Sequence, residues 1–145
     1  MLMSIATAAI IFGFCGAFHY WIMSGSTQFL KLKKLAPGTQ LLLVLYAAGI
    51  AHTIEAIFYA FGFLFLEGLD LGGFSKSDQM SVMDTIYFSL VNYTSLGLGD
   101  IYPTGHLRFL AGIASLNGFL LIGCSASFLY LHMSAPKTVG KRESQ

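Results

Sequence analysis

The chain has 145 residues and a formal net charge of +1, with 55% of residues hydrophobic and only 10% charged, at a mean hydropathy of +0.69. Soluble domains carry about 25% charged residues, so an ordinary soluble domain is excluded, and the few scattered basic residues exclude a nucleic-acid-binding face. Cys15 and Cys124 both lie inside apolar runs, which offers neither a disulfide framework nor a metal-ligand spacing.

Residues 1–30 contain no Asp, Glu, Lys or Arg, and their apolar part meets the roughly 20 residues that a helix needs to cross ~30 Å of hydrocarbon. A first transmembrane helix is expected over 1–23. A cleaved signal peptide is the weaker reading, because MLMS lacks a basic start and the run exceeds the usual apolar core of roughly 7 to 15 residues. Residues 24–39 carry Lys31, Lys33, Lys34 and a Pro37-Gly38 turn, and read as a basic loop or surface helix at the lipid headgroups. An outer helix is expected over 40–66, apolar except for His52 and Glu55, rising about 40 Å. A short helix is expected over 81–93, where Ser81-Val82-Met83-Asp84 offers an N-terminal capping pattern. At about three turns it is too short to span, so it is re-entrant or interfacial. An inner helix over 106–133 follows, then a short tail over 134–145 with Lys137, Lys141 and Arg142.

Cytoplasmic loops carry an excess of Lys and Arg. Of the eight basic residues, those at 31, 33, 34, 137, 141 and 142 fall in the first loop or the tail, leaving Lys76 and Arg108. This predicts a multi-pass protein of the plasma or bacterial inner membrane with its N-terminus outside and its C-terminus cytoplasmic. The acids at 67, 70, 78, 84 and 100 then lie on the outer side, a face that attracts cations.

After the short helix comes Thr94-Ser95-Leu96-Gly97-Leu98-Gly99-Asp100-Ile101-Tyr102-Pro103. Non-helical backbone at membrane depth is tolerated only where it is buried in protein or lines a water-filled path. Glycines at alternate positions, Gly97 and Gly99, let carbonyls point the same way. With a short helix before it and a span on each side, this stretch resembles the pore domain of the tetrameric potassium channel superfamily, over residues of about 81 to 132.

The resemblance implies an all-α membrane protein: three transmembrane helices plus a re-entrant pore helix and a filter loop over 94–100, assembled as a homotetramer because each chain has one copy of the motif. It implies a filter of Thr94, Ser95, Leu96, Gly97, Leu98 and Gly99, with permeant K+ held by Ser95, Leu96, Gly97 and Leu98 and no cofactor; carbonyl rings replacing the hydration shell are that family's known device. Asp100, Tyr87, Phe88 and Val91 would support the filter. Leu98 stands where the family has tyrosine, Val91 where some members have a glutamate that pairs with the aspartate after the filter, and Ser95 where threonine is usual. All three point to a less rigid filter. The extra first helix would pack outside the pore.

Gly118 falls where such channels often place a gating glycine, with close packing as the alternative; Gly112 and Gly123 read as packing sites. Asn117 faces the cavity or bonds a neighbouring helix. His52 and Glu55 share one helical face near mid-span. They are candidates for a proton-linked gate, against a protonated Glu55 bonded to Tyr59, Ser115 or Asn117. His19, Tyr20 and Trp21 read as an interfacial belt.

No span carries arginines at every third position, so a voltage sensor of the usual kind is not expected. Residues 134–145 are too few for a nucleotide- or calcium-binding domain. The chain carries no nucleophile constellation or phosphate loop, and an enzyme is not expected. The leading reading is a channel conducting K+ passively, the alternatives being a weakly selective Na+/K+ channel or a non-conducting membrane interaction subunit. A carrier with four pore repeats in one chain is disfavoured by the single repeat.

Overall fold

In hydrocarbon the backbone must satisfy its own hydrogen bonds, so long apolar runs fold as helices. The structure, a computed structural model, describes residues 1–32, 35–76 and 80–134. The first two runs become α1 (Leu2–Leu32) and α2 (Pro37–Gly68), and the last becomes α4 (Leu107–Ser134). All three contain stretches long and apolar enough to cross a membrane. Both α1 and α2 extend beyond the expected 1–23 and 40–66, absorbing most of the anticipated loop. Ser26 and Thr27 return their hydroxyl protons to the carbonyls of Ile22 and Met23 at 2.8 and 3.1 Å, so neither interrupts the helix. Pro37 opens α2, where its missing N–H is no loss. Lys33, Lys34, Asp78 and the tail from 135 on, with Lys137, Lys141 and Arg142, lie outside the described residues.

The short helix is α3 (Val82–Tyr93), and its start follows from the sequence: Ser81 Oγ accepts from the Asp84 amide at 3.2 Å while Asp84 Oδ2 accepts from the Ser81 amide at 2.9 Å. Lys76 lies 2.8 Å from the other carboxylate oxygen. Lys76, with the Ser81 amide and hydroxyl, holds the Asp84 carboxyl down at about 2. A feature absent from the sequence reading is a two-residue antiparallel ladder, β1 (Phe74–Ser75) with β2 (Tyr102–Pro103), pairing Phe74 with Pro103 and Ser75 with Tyr102. So short a ladder has no periodicity to read. It is extended by the Thr104 amide on Gly73 O and the His106 amide on Leu71 O, both at 2.8 Å.

α1 packs on both α2 and α4, and α3 is wedged between α2 and α4. Tyr59, Phe63 and Leu66 of α2, Tyr93 of α3, and Leu107, Leu110 and Ala114 of α4 form the buried centre, which Ala8 and Cys15 of α1 complete. Phe63, Phe74 and Phe88 meet edge to face with centroids 5.0 to 5.7 Å apart. Such pairs contribute about 0.5–1.5 kcal/mol each beyond their burial. They fix the middle of α3 against α2 and the ladder.

Candidate functional site

The C-terminus of α3 runs into the loop over 94–100, whose side chains are exposed in the single chain. Aligned peptide dipoles leave about half a negative charge at that end. The local geometry is specific: φ is +59° at Ser95, +57° at Gly97 and +78° at Gly99, while the residues between them stay at negative φ. Gly97 and Gly99 hold left-handed backbone that glycine adopts without the strain an L side chain would meet. Gly97 and Gly99 are the two positions that the sequence singled out. Ser95 takes its left-handed φ from the end of α3: its amide donates to Asn92 O at 2.9 Å and the Leu96 amide donates to Val91 O at 3.0 Å, the paired bonds that close a helix on a left-handed residue, a position glycine usually fills.

Three contacts hold the upstream end of the loop. Ser115 Oγ donates to Asn92 O at 2.8 Å, Asn92 Nδ2 donates to Ala111 O at 2.8 Å, and the Ser95 amide donates to Asn92 O at 2.9 Å. At Gly118 a Cβ would fall on the carbonyl of Tyr93. The structure thus gives Gly118 the close-packing role, whereas added Cβ atoms at Gly112 and Gly123, the expected packing sites, would meet nothing within 4 Å. Downstream, Ile101 is buried and Asp100 accepts from Tyr87 Oη at 2.9 Å. Tyr87 therefore serves Asp100, whose partner was left open by Val91. Tyr87, Phe88 and Val91 line a cleft of about 30 Å3 behind Gly97, Leu98, Gly99 and Asp100. Thr94 Oγ1 turns back to the carbonyls of Leu90 and Val91.

A second constellation lies deeper and is buried. Glu55 Oε1 sits 3.0 Å from His19 Nδ1, and its Oε2 sits 3.0 Å from His52 Nδ1 and accepts from Tyr93 Oη at 2.5 Å. His52 Nε2 and His19 Nε2 both meet Ser125 Oγ, at 3.0 and 3.1 Å. The two imidazoles are stacked with centroids 5.0 Å apart. His52 and Glu55 are brought together as their spacing predicts, but Glu55 takes none of the partners proposed for it. Tyr59 instead accepts from Asn117 at 2.9 Å, so Asn117 is buried and bonds a neighbouring helix, and Ser115 serves Asn92. The interfacial reading of His19 does not hold either. The helical turn leaves Tyr20 and Trp21 exposed and carries His19, only 4% exposed, inward onto Glu55. The neighbouring aromatics masked it in sequence.

Three helices long and apolar enough to cross a membrane, packed around a capped half-span helix that ends in a glycine-bearing loop, form the architecture of a pore-loop channel subunit. The family model described as "Ion channel" matches residues 40–131, more than half of the chain, and the chain belongs to this ion-channel family, within the potassium channel superfamily. It is not an enzyme. Over 119 residues it is 29% identical to the voltage-gated potassium channel regulatory subunit KCNG3 of mouse, and equally to those of rat and human, covering 77% of this chain. The alignment covers only 26% of the length of those curated relatives. No solved structure matches the chain significantly.

Proposed function

We propose that the chain is the subunit of a homotetrameric channel that passes K+ down its electrochemical gradient through four copies of the 94–100 loop. The observation that carries this reading is the pair of left-handed glycines, Gly97 and Gly99, in the exposed loop at the end of a capped half-span helix. One chain supplies one carbonyl edge, and rings of such edges replace the hydration shell of the permeant ion. Ser95, Leu96, Gly97 and Leu98 are the K+ ligands, Asp100 and Tyr87 brace the outer end, and no cofactor is called for. Supporting assembly are large apolar side chains left exposed on α4, among them Leu116, Phe119 and Leu120. The excess of basic residues in the first loop and the tail supports an orientation with both on the cytoplasmic side and the N-terminus outside.

The second reading is a regulatory subunit that acts within another channel's assembly; the regulatory subunits of mouse, rat and human that the chain is similar to favour it. The test is reconstitution of the purified protein into planar bilayers with asymmetric KCl and NaCl. Reversal near the potassium equilibrium potential is the expected result. Reversal near zero replaces it with a weakly selective Na+/K+ pore, for which Leu98 and Ser95 are the reason, and Leu98→Tyr then sharpens the discrimination. Silence of a protein that is tetrameric in lipid by native mass spectrometry overturns conduction and leaves the regulatory reading.

A further inference from the structure

The constellation around Glu55 is a closed ring whose protons can be counted. It has four links: Glu55 to His19, His19 to Ser125, Ser125 to His52, and His52 back to Glu55, each at 3.0 or 3.1 Å. A hydrogen bond needs one proton between two lone-pair atoms, so the ring needs four. The Ser125 hydroxyl supplies one and two neutral imidazoles supply one each. Tyr93 Oη also lies 3.2 Å from His52 Nδ1, but its proton is spent on the nearer Glu55 Oε2 and does not fill the link between His52 and Glu55. An ionised Glu55 supplies none. The fourth must be an additional proton, held as a carboxylic acid or as one imidazolium beside a carboxylate. Either way the ring is neutral overall, which is the inexpensive state for a cluster at mid-membrane.

The ring also joins four helices. His19 comes from α1, His52 and Glu55 from α2 and Ser125 from α4, and Tyr93 at the end of α3 donates to the same Glu55 oxygen that faces His52. The titratable groups facing it from α1 are His19 and Cys15, whose Sγ lies 3.9 Å from the Glu55 carbonyl. From α2 they are His52, Glu55 and Tyr59, and from α3 Tyr93. Among the described residues α4 contributes only the serine to the ring.

We infer that His19, His52, Glu55 and Ser125 form a one-proton latch that docks α1 on the pore unit and, through Tyr93, positions the end of the pore helix. Loss of the fourth proton as pH rises leaves one link as two facing lone pairs and a net negative charge in hydrocarbon, and the latch opens. Two imidazoles and a carboxylate could also attract a divalent metal. Here, however, each ring nitrogen is engaged on Glu55 or Ser125, and a divalent ion against one carboxylate would leave a net positive charge where a proton leaves none. Coupling of the latch to the pore rests on the channel reading above; docking of α1 does not.

Glu55→Gln is the decisive variant, because its amide carries the fourth proton covalently: Nε2 donates to His19 and Oε1 accepts from His52 and Tyr93. The experiment is the thermal midpoint of the full chain in detergent, scanned from acid to alkaline pH, for wild type, Glu55→Gln, Glu55→Leu and His19→Ala. Glu55→Gln should match the wild-type maximum, while the wild type falls below it by about 5 °C on the alkaline limb. Glu55→Leu and His19→Ala should lie below both throughout. A Glu55→Gln profile parallel to wild type at all pH, or as low as Glu55→Leu, overturns the proton count. A wild-type midpoint raised by added zinc, and not raised in His19→Ala, overturns it in favour of a metal. In proteoliposomes K+ flux should fall on the same alkaline limb in wild type and not in Glu55→Gln; flux that ignores that limb overturns the coupling to the pore. Absence of flux in every variant overturns the channel reading alone, and the thermal comparison still decides the latch.

Discussion

The loop over 94–100 and the ring around Glu55 lie at opposite faces of the same joint, the end of α3, and are built in opposite ways. The loop is main chain, exposed, and left-handed at Gly97 and Gly99, with hydrogen bonds at its two ends. The ring is side chain, mostly buried, and complete within one chain. In the proposed channel the loop is finished by assembly with other chains, whereas the ring is finished by folding.

The sharpest break of this comparison is at the joint. Gly118→Ala puts a Cβ onto the Tyr93 carbonyl, so α4 must move from α3; overpacking of this kind costs about 1–3 kcal/mol or more. The thermal midpoint should fall, and loop and ring should fail together. A variant with unchanged midpoint would mean that the joint is not rigid. The next is Gly99→Ala, which strains the loop by roughly 1–2 kcal/mol and leaves the ring intact. K+ flux should be lost while α1 stays docked and the midpoint changes by a few degrees at most. Tyr87→Phe removes one bond to Asp100 that is exposed in the chain, with an effect of about 1 kcal/mol or less on the loop. Its readout is faster decay of current or greater Na+ permeability, with the pH profile of the ring unmoved. The smallest effect belongs to Asp84. Its carboxyl is depressed by Lys76 and Ser81 to about 2, so its contribution is present above the ordinary carboxylate range near 4 and is lost as pH falls towards 2. Asp84→Asn should flatten the acid limb of the midpoint curve below about pH 4 and leave the alkaline limb to the ring.

The spans were legible because hydropathy over some 20 residues is a strong signal, and the start of α3 because Ser81 and Asp84 stand at capping distance. The glycines of the loop were legible for the same local reason. Ser95 was not, because its left-handed backbone closes the end of α3, a position that glycine usually marks and serine does not. His19 was hidden by Tyr20 and Trp21, whose preference for interfaces is a property of single residues, whereas its inward turn depends on how α1 is rotated against α2. Glu55 and His52 were found as a pair because they share one helix. Ser125, 73 residues from His52, could be found only after the helices were packed.

The two-residue ladder between Phe74 and Pro103 has a consequence for assembly. It ties the segment after α2 to the segment after the loop, while Ser115 and Asn92 tie the segment before it. In the proposed tetramer each chain would therefore reach its neighbours with both ends of its loop already fastened. Ordering a mobile segment at an interface costs about 0.5–1.5 kcal/mol per side chain immobilised, and four chains would meet that cost four times. Fastening the loop during folding moves the loss of entropy to an earlier step, so that association has only to align edges that are already shaped.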